Sequence, residues 1–359
     1  MPRLRLLILS SFVAGLVILP GDLTAAERPN ILVIYADDLG YGDVQCNNPD
    51  RGKIPTPHID RLAAEGMRFT DAHSSSGVCS PSRYTLLTGR YHWRTRLEKG
   101  IVGLWEPPLI ERERLTIGGL AKAHGYRTAT IGKWHLGWDW PIAPADKSLL
   151  ATVGSKKQRP VPHDVTDAHR AAWQRIFSKP IAGGPTTRGF DSYFGTDVPN
   201  WPPFCFIEND RTLGIPTTLL GADDFKDNRA SKQGPALQDW KLENVLPALR
   251  DRAVSFIETS ATEKVPFLLY LPLTSPHTPL AVNKAWRGAS GLESAYADLV
   301  METDAVVGDV LATLKRAGIA DTTLVVFTSD NGFAPYVGAK ELEARGHFPS
   351  GPLLSLIHI

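Results

Sequence analysis

The chain has 359 residues, enough for one large domain or two medium ones, and its 43% hydrophobic content is ordinary for a globular protein. The formal net charge is +1, with neither the basic runs that bind nucleic acid nor an acidic tail typical of disorder. We therefore expect no nucleic-acid partner. Three cysteines are too few for a scaffold built on disulfides.

The first 26 residues have the pattern of a secretory signal peptide. Arg3 and Arg5 precede an apolar run from Leu6 to Leu19, and the small residues from Thr24 to Ala26 offer a cleavage site. The run is short for a membrane span, with an uncleaved anchor as the alternative. Either interpretation predicts an exported domain, periplasmic or extracellular, and we expect no stable membrane span.

The first strand is predicted from Asn30 to Ala36, a short apolar run rich in β-branched residues. It ends at Asp37 and Asp38, and ligands of α/β sheets gather at the carboxyl ends of strands. Two adjacent carboxylates repel each other unless a cation lies between them, so the pair indicates a divalent metal site. The alternative is a helix cap beside a solvated aspartate.

A loop with a single thiol follows a helix predicted from Pro57 to Gly66. Cys79 precedes Ser80 and Pro81, which favour the N-cap and the first position of a helix. A thiol at the positive end of a helix should have a lowered pKa and be reactive, with Arg83 one turn further on the same side. The alternative is a buried structural cysteine.

A second strand, Tyr126 to Gly132, follows a helix predicted from Thr116 to Gly125. It runs directly into Lys133 and His135, which lie on the same side of an extended chain. Together they could bind an anion and move a proton. An ordinary surface lysine and a buried histidine are the alternative.

Residues 139–240 are rich in proline, glycine and polar side chains and show little periodicity. A turn and a strand are predicted within 188–195. The remainder is predicted to form long loops over a site, where an enzyme would keep its substrate specificity.

A mixed-charge helix is predicted from Leu242 to Glu263, followed by a buried strand from Phe267 to Leu271. The strand leads to His277, which flanking prolines fix and expose. A lone histidine is more often structural than catalytic, so this residue alone decides nothing.

Apolar residues at helical spacing predict an amphipathic helix over 292–314, closed by Gly318, before a last strand from Thr323 to Thr328. That strand ends at Asp330 and Asn331, which offer a carboxylate and an amide oxygen. With the first aspartate pair they form an all-oxygen set that suits Ca²⁺ or Mg²⁺ rather than Zn²⁺.

Three strings of residues resemble signatures of the type I sulfatases. They are Cys-Ser-Pro-Ser-Arg at 79–83 with Leu-Thr-Gly-Arg at 87–90, Gly-Lys-Trp-His-Leu-Gly at 132–137, and Pro-His-Thr-Pro at 276–279. The resemblance runs from about Pro29 to about Gly351. It implies the alkaline-phosphatase-like fold, with a central, mostly parallel sheet sandwiched by helices. The alternation of strands and helices independently supports an α/β fold.

The resemblance also implies a mechanism. A formylglycine-generating enzyme would oxidise Cys79, and the hydrated aldehyde would attack a sulfate ester. The implied metal ligands are Asp37, Asp38, Cys79, Asp330 and Asn331. Lys133 would bind the sulfate and His277 would protonate the leaving oxygen. Arg83 and His135 would hold the hydrate. If Cys79 is modified in this way, Cys46 and Cys205 are left and could pair.

The C-terminal end departs from the family pattern. After Gly-His-Phe-Pro-Ser-Gly-Pro-Leu at 346–353, members usually continue with a sulfate-binding lysine, a further strand and a smaller domain, whereas residues 354–359 do not resemble that continuation. We therefore expect a catalytic domain over 27–353 and an atypical tail over 354–359, in a C-terminally truncated family member from which the C-terminal subdomain is missing.

The expected substrate is a sulfated small molecule or carbohydrate. Two alternatives stay open: a phosphonate or phosphodiester hydrolase of the same superfamily, and an inactive secreted metal-binding fragment.

Overall fold

The computed structural model describes residues 28–150, 165–225 and 230–353. The predicted signal peptide and the predicted tail lie outside these ranges. Within them, no helix is long and apolar enough to cross a membrane. All three cysteines are free thiols, so Cys46 and Cys205 do not pair in this structure.

A seven-stranded sheet forms the centre of the described chain, in the order β5-β4-β3-β2-β8-β1-β9. The five strands from β3 to β9 in this order are parallel neighbours, and β4 and β5 add to one side in antiparallel fashion. The mostly parallel sheet predicted from the sequence is therefore confirmed. The strands are β1 (Asn30–Asp37), β2 (Arg127–Lys133), β3 (Ser192–Thr196), β4 (Ile207–Glu208), β5 (Arg211–Thr212), β6 (Thr218–Leu220), β7 (Gly234–Ala236), β8 (Phe267–Pro276) and β9 (Thr323–Ser329).

Helices cover both faces of the sheet, because alternate residues of each strand point to opposite sides. Leu32 of β1 belongs to the core beneath α5 and α6, whereas Val33 belongs to the core beneath α2 and α3. The helices are α1 (Pro57–Glu65), α2 (Cys79–Thr88), α3 (Ile117–Ala123), α4 (Asp167–Phe177), α5 (Val245–Glu263), α6 (Ala295–Arg316) and α7 (Ala339–Ala344).

β9 lies at one edge of the sheet and is only partly covered. Its register pairs Leu324 with Ile31 and Val326 with Val33 of β1. Leu324 is 55% exposed and Val326 is 39% exposed, although the equivalent face of β1 is largely packed against helices. The helical cover on this face therefore stops short of the edge strand.

Two sequence predictions differ from the structure. The sequence predicts Ser80 as the N-cap of the helix after the thiol. In the structure the helix begins at Cys79 with Val78 as its N-cap, so Ser80 and Pro81 lie within its first turn. The segment 139–240 also contains α4, a helix that its composition obscured. Thr166 caps α4 by accepting a hydrogen bond from the backbone N–H of His169, and four apolar residues on one face of the helix are buried.

The close approach of β2 to β8 depends on Gly132, the residue before Lys133. Its φ of 138° is disfavoured for a residue with a side chain, and a Cβ there would overlap the carbonyl oxygen of Pro272 in β8. We expect Gly132→Ala to destabilise the chain by more than about 4 kcal/mol, since backbone of two central strands must move. The measurement is the free energy of unfolding in chemical denaturant.

Gly291→Ala is the matched control. Gly291 also has a positive φ, but a Cβ there meets nothing within 4 Å, so this variant reports the cost of the backbone conformation alone. Equal destabilisation of the two variants would contradict the packing argument.

Candidate active site

Polar residues at or just after the carboxyl ends of β1, β2, β8 and β9 meet along the edge of the sheet where these parallel strands end. Register pairs Ala36 of β1 with Ser329 of β9, and Asp37 with Pro276 of β8, so the residues that follow these strands become neighbours. The structure brings together every predicted site residue at this edge, and each is at least 90% buried. They are Asp37, Asp38, Cys79, Arg83, Lys133, His135, His277, Asp330 and Asn331.

An ionic cluster of two cations and two carboxylates lies at the centre of this site. The Arg83 guanidinium bridges the sheet, with Nη2 3.0 Å from Asp37 Oδ1 and 2.7 Å from Asp330 Oδ2. Lys133 Nζ lies 2.8 Å from both carboxylate oxygens of Asp37. All four side chains are fully buried. Because an unpaired buried charge is very costly, the four groups are stable only as a set.

The two carboxylates of the cluster have opposite pKa shifts. Burial alone would raise the pKa of Asp37, but Lys133, His277 and Arg83 outweigh it and hold that pKa well below its usual range. Burial and the negative charge of Asp37 raise the pKa of Asp330. One carboxylate therefore has its negative charge balanced, whereas the other is short of positive charge.

Asp38 adds a third carboxylate in a strained backbone conformation. Its φ is 62°, in the left-handed region, and its backbone N–H donates to Asp330 Oδ1 over 3.0 Å. Asn331 Nδ2 donates to Asp38 Oδ1 over 2.6 Å, and His277 Nε2 lies 3.6 Å from Asp38 Oδ2. Asp38 therefore links the ends of β1, β8 and β9 at the surface of the cluster.

The thiol of Cys79 enters the cluster from the first turn of α2. Its sulfur lies within 4.8 Å of carboxylate oxygens of Asp37 and Asp330. The lowered pKa predicted from the helix terminus is wrong. Burial and the nearby carboxylates raise the pKa of Cys79 to about 12, although Lys133 acts in the opposite direction. At neutral pH this side chain is a neutral thiol and not a reactive thiolate.

His135 lies beside the cluster with one ring nitrogen unsatisfied. Its Nε2 donates to the carbonyl oxygen of Val102 over 3.1 Å, which leaves the lone pair on Nδ1. That buried Nδ1 has no hydrogen-bond partner. Burial, Lys133 and Arg83 lower the pKa of His135 well below its usual value, so the ring is neutral. It is a proton acceptor placed next to two cations.

Comparison with known proteins connects this geometry to a family. A family model described as Sulfatase matches residues 29–351. The chain belongs to the sulfatase family. An N-acetylgalactosamine-6-O-sulfatase of Bacteroides thetaiotaomicron is 29% identical over 91% of the chain, a steryl-sulfatase of Mus musculus 32% over 98%, and arylsulfatase A of Homo sapiens 30% over 88%. The chain spans 64%, 59% and 54% of the lengths of these sulfatases.

Solved structures agree with the family assignment. A Bacteroides thetaiotaomicron structure, described under the metabolism of multiple glycosaminoglycans, superimposes with a TM-score of 0.73 at 28% identity, over 91% of this chain and 68% of the other. A Pseudoalteromonas sulfatase gives a TM-score of 0.59 at 25% identity, over 86% and 58%. The alkaline-phosphatase-like sulfatase fold implied by the sequence motifs is confirmed.

The sulfatase site fits a divalent cation. Two groups of donor atoms, Asp37 with Cys79 and Asp330, and Asp37 with Asp38 and His277, each lie within 4.8 Å of one another. The Oδ1 atom of Asn331 is buried at the same place without a hydrogen-bond partner. Carboxylate and amide oxygens are the ligands that Ca²⁺ and Mg²⁺ prefer, and a cation would also meet the shortage of positive charge at Asp330.

Sequence reasoning did not identify several residues that support the site. Tyr35 lies beneath the Arg83 guanidinium, with its ring centroid 5.5 Å from the guanidinium carbon. Asp43, Tyr296 and His347 form a buried chain of hydrogen bonds behind Asp38. Asp43 lies six residues after Asp37 and His347 lies in the string at 346–353, but neither position indicates that these side chains meet behind Asp38.

We expect Asn331→Ala to weaken the stabilisation of the chain by Ca²⁺ or Mg²⁺. A ligand at 100 times its Kd stabilises the folded state by about 2.7 kcal/mol, and this variant removes the unpartnered Oδ1. The measurement is the thermal midpoint with and without each cation.

Asn30→Ala is the control, because Asn30 is a buried asparagine at the opposite end of β1. Asn30→Ala should lower the thermal midpoint but keep the increase in midpoint that the cation causes. If the cation raises the midpoint of Asn331→Ala as much as that of wild type, Asn331 does not bind a metal.

Proposed function

We propose that this chain is a sulfuric ester hydrolase that uses a formylglycine hydrate formed from Cys79, together with a divalent cation. The observation that carries the proposal is the burial of Cys79 in the cluster formed by Lys133, Arg83, Asp37 and Asp330, in a chain of the sulfatase family. The raised pKa of the thiol supports it, because an unmodified Cys79 would be a poor nucleophile at neutral pH.

Lys133 and Arg83 provide the positive charge that a sulfate group requires. Two of the three ammonium protons of Lys133 point to Asp37, which leaves one donor for a sulfate oxygen. Arg83 holds Asp37 and Asp330 in place through one nitrogen, while its buried Nε has no partner. A divalent cation held by Asp37, Asp38, Asp330 and Asn331 would lower the pKa of the hydrate and screen the sulfate charge.

His277 is placed to donate a proton to the leaving oxygen. Its Nδ1 contacts the carbonyl oxygen of Thr278 and therefore carries a proton, so Nε2 is the nitrogen that faces Asp38. As a hydroxyl of the hydrate attacks sulfur, the bond from sulfur to the leaving oxygen breaks and that oxygen takes the proton from Nε2.

His135 is suited to the second half of the reaction. Its neutral ring has a free lone pair on Nδ1, which can accept the proton of the remaining hydrate hydroxyl. Loss of that proton breaks the bond from carbon to the sulfate oxygen, which releases sulfate and restores the aldehyde. Water then forms the hydrate again.

A sulfated carbohydrate is the proposed substrate class. The Bacteroides thetaiotaomicron relative is named an N-acetylgalactosamine-6-O-sulfatase, and the structure with the highest TM-score quoted above is described under glycosaminoglycan metabolism.

The predicted signal peptide would export the enzyme to the periplasm or the extracellular space. Maturation of Cys79 would require a formylglycine-generating enzyme as a transient partner.

The first test is the mass spectrum of the peptide that contains Cys79, after co-expression with a formylglycine-generating enzyme. We expect loss of the thiol mass and appearance of an aldehyde at this position, because the motif at 79–83 is intact. Cys79→Ala is the control for the assignment. A persistent thiol would exclude the proposed nucleophile and leave the family membership unchanged.

Relative rates on aryl sulfate and aryl phosphate esters test the reaction itself. The mature chain should prefer the sulfate ester, and Cys79→Ala should abolish turnover. A preference for the phosphate ester would move the assignment to a phosphoryl or phosphonate hydrolase.

We expect His277→Ala to slow hydrolysis by about 10² to 10⁴-fold for a sugar sulfate, because its alkoxide leaving group needs a proton. The loss should be much smaller for 4-nitrophenyl sulfate, whose leaving group is stable as an anion. The measurement is kcat/KM on both substrates. His124→Ala, which changes an exposed histidine, should leave both values unaltered. Equal losses on the two substrates would contradict the role of general acid.

A further inference from the structure

Behind Asp38 lies a buried chain of three polar side chains that the reaction does not use. The Tyr296 hydroxyl of α6 is within hydrogen-bond distance of two oxygens, Asp43 Oδ2 at 2.5 Å and the backbone carbonyl of Asp38 at 3.1 Å. His347 Nε2 lies 2.8 Å from Asp43 Oδ1. Tyr296, Asp43 and His347 are completely buried. We call these three residues the Asp43 network.

The hydrogen bonds of the network fix its direction. The backbone N–H of Lys53 donates to His347 Nδ1 over 2.9 Å, so the imidazole proton lies on Nε2 and is donated to Asp43. The second oxygen of Asp43 also accepts the backbone N–H of Gly40 over 2.7 Å. One carboxylate thus accepts from an imidazole, a phenol and the loop that follows Asp38.

The loop from Asp38 to Asp43 has a conformation that needs such support. Asp38 is held at a φ of 62°, which is costly for a residue with a side chain. Gly40 and Gly42 leave no room for a Cβ, because the carbonyl oxygens of Pro349 and Phe348 lie against them. The loop is therefore clamped between α6 and the segment that carries His347.

From these contacts we propose that the Asp43 network positions Asp38 for metal binding. The proposal rests on the proposed function, since it takes the cation to be held by Asp38 and its neighbours. The Tyr296 hydroxyl contacts the backbone carbonyl oxygen of Asp38 directly. Asp43 accepts the backbone N–H of Gly40, which lies two residues after Asp38. A small rotation of this strained loop would move the Asp38 carboxylate away from Asn331 and His277. Loss of a hydrogen-bond partner behind a metal ligand commonly weakens metal affinity by about 10 to 100-fold.

The test is a calorimetric titration of the full chain with Ca²⁺ and with Mg²⁺. Tyr296→Phe keeps the ring and removes only the hydroxyl, and we expect it to weaken the binding of the preferred cation by about 10-fold or more. Asp43→Asn is a second variant that should weaken binding in the same direction. The same variants should lower kcat for the sulfate ester more than they change KM, because the network touches no substrate.

Tyr84→Phe is the matched control. Tyr84 is also a buried tyrosine, and its hydroxyl donates to Glu111 outside the site. It should lose comparable stability without a change in cation affinity. If wild type and Tyr296→Phe bind the cation equally well, the network is only structural. This proposal then fails, whereas the proposed function is unaffected. If wild type binds neither cation, the metal part of the proposed function fails with it.

Discussion

The site depends on the balance of charge between two fully buried cations and the carboxylates at the strand ends. Neither Arg83 nor Lys133 is stable in a dry interior by itself. Lys133 finds its partner at Asp37, at the end of β1, and Arg83 finds partners at Asp37 and at Asp330, which follows β9. The ion pairs that neutralise these charges therefore also hold α2 and β2 against β1 and β9. Cys79 lies one turn before Arg83 on α2, so an electrostatic contact also sets the position of this side chain.

The same balance bears on the proposed function, in which one cluster would hold both a metal ion and a sulfate. If all three are ionised, the carboxylates Asp37, Asp38 and Asp330 exceed the two cations by one charge, and burial together with the charge of Asp37 raises the pKa of Asp330. A divalent cation bound by these residues would reverse the excess, and the resulting positive charge would attract an anion. The neutral His135 adds no charge to this balance and keeps a lone pair for proton transfer.

The sequence allowed the strands and the polar residues at their ends to be predicted, because buried parallel strands are continuous apolar runs and their carboxyl ends share one edge. The prediction of a lowered pKa for Cys79 was wrong. The sequence indicates the helix terminus, but it does not indicate the burial or the nearby carboxylates that raise this pKa. The Asp43 network was also invisible, since its bonds join residues 253 and 304 positions apart. Local patterns give the elements, and only the packed structure gives the environment of a titratable group.

The exposed edge of β9 has a consequence for the behaviour of the chain in solution. An edge strand offers a row of unpaired backbone N–H and C=O groups, and here it also shows Leu324 and Val326 to water. No charged side chain lies within Thr323–Ser329 to discourage another strand from adding to it. Among the described residues, this edge is therefore where another β-strand could pair. Val326→Lys, at a position that points away from the core beneath α5 and α6, would oppose such pairing.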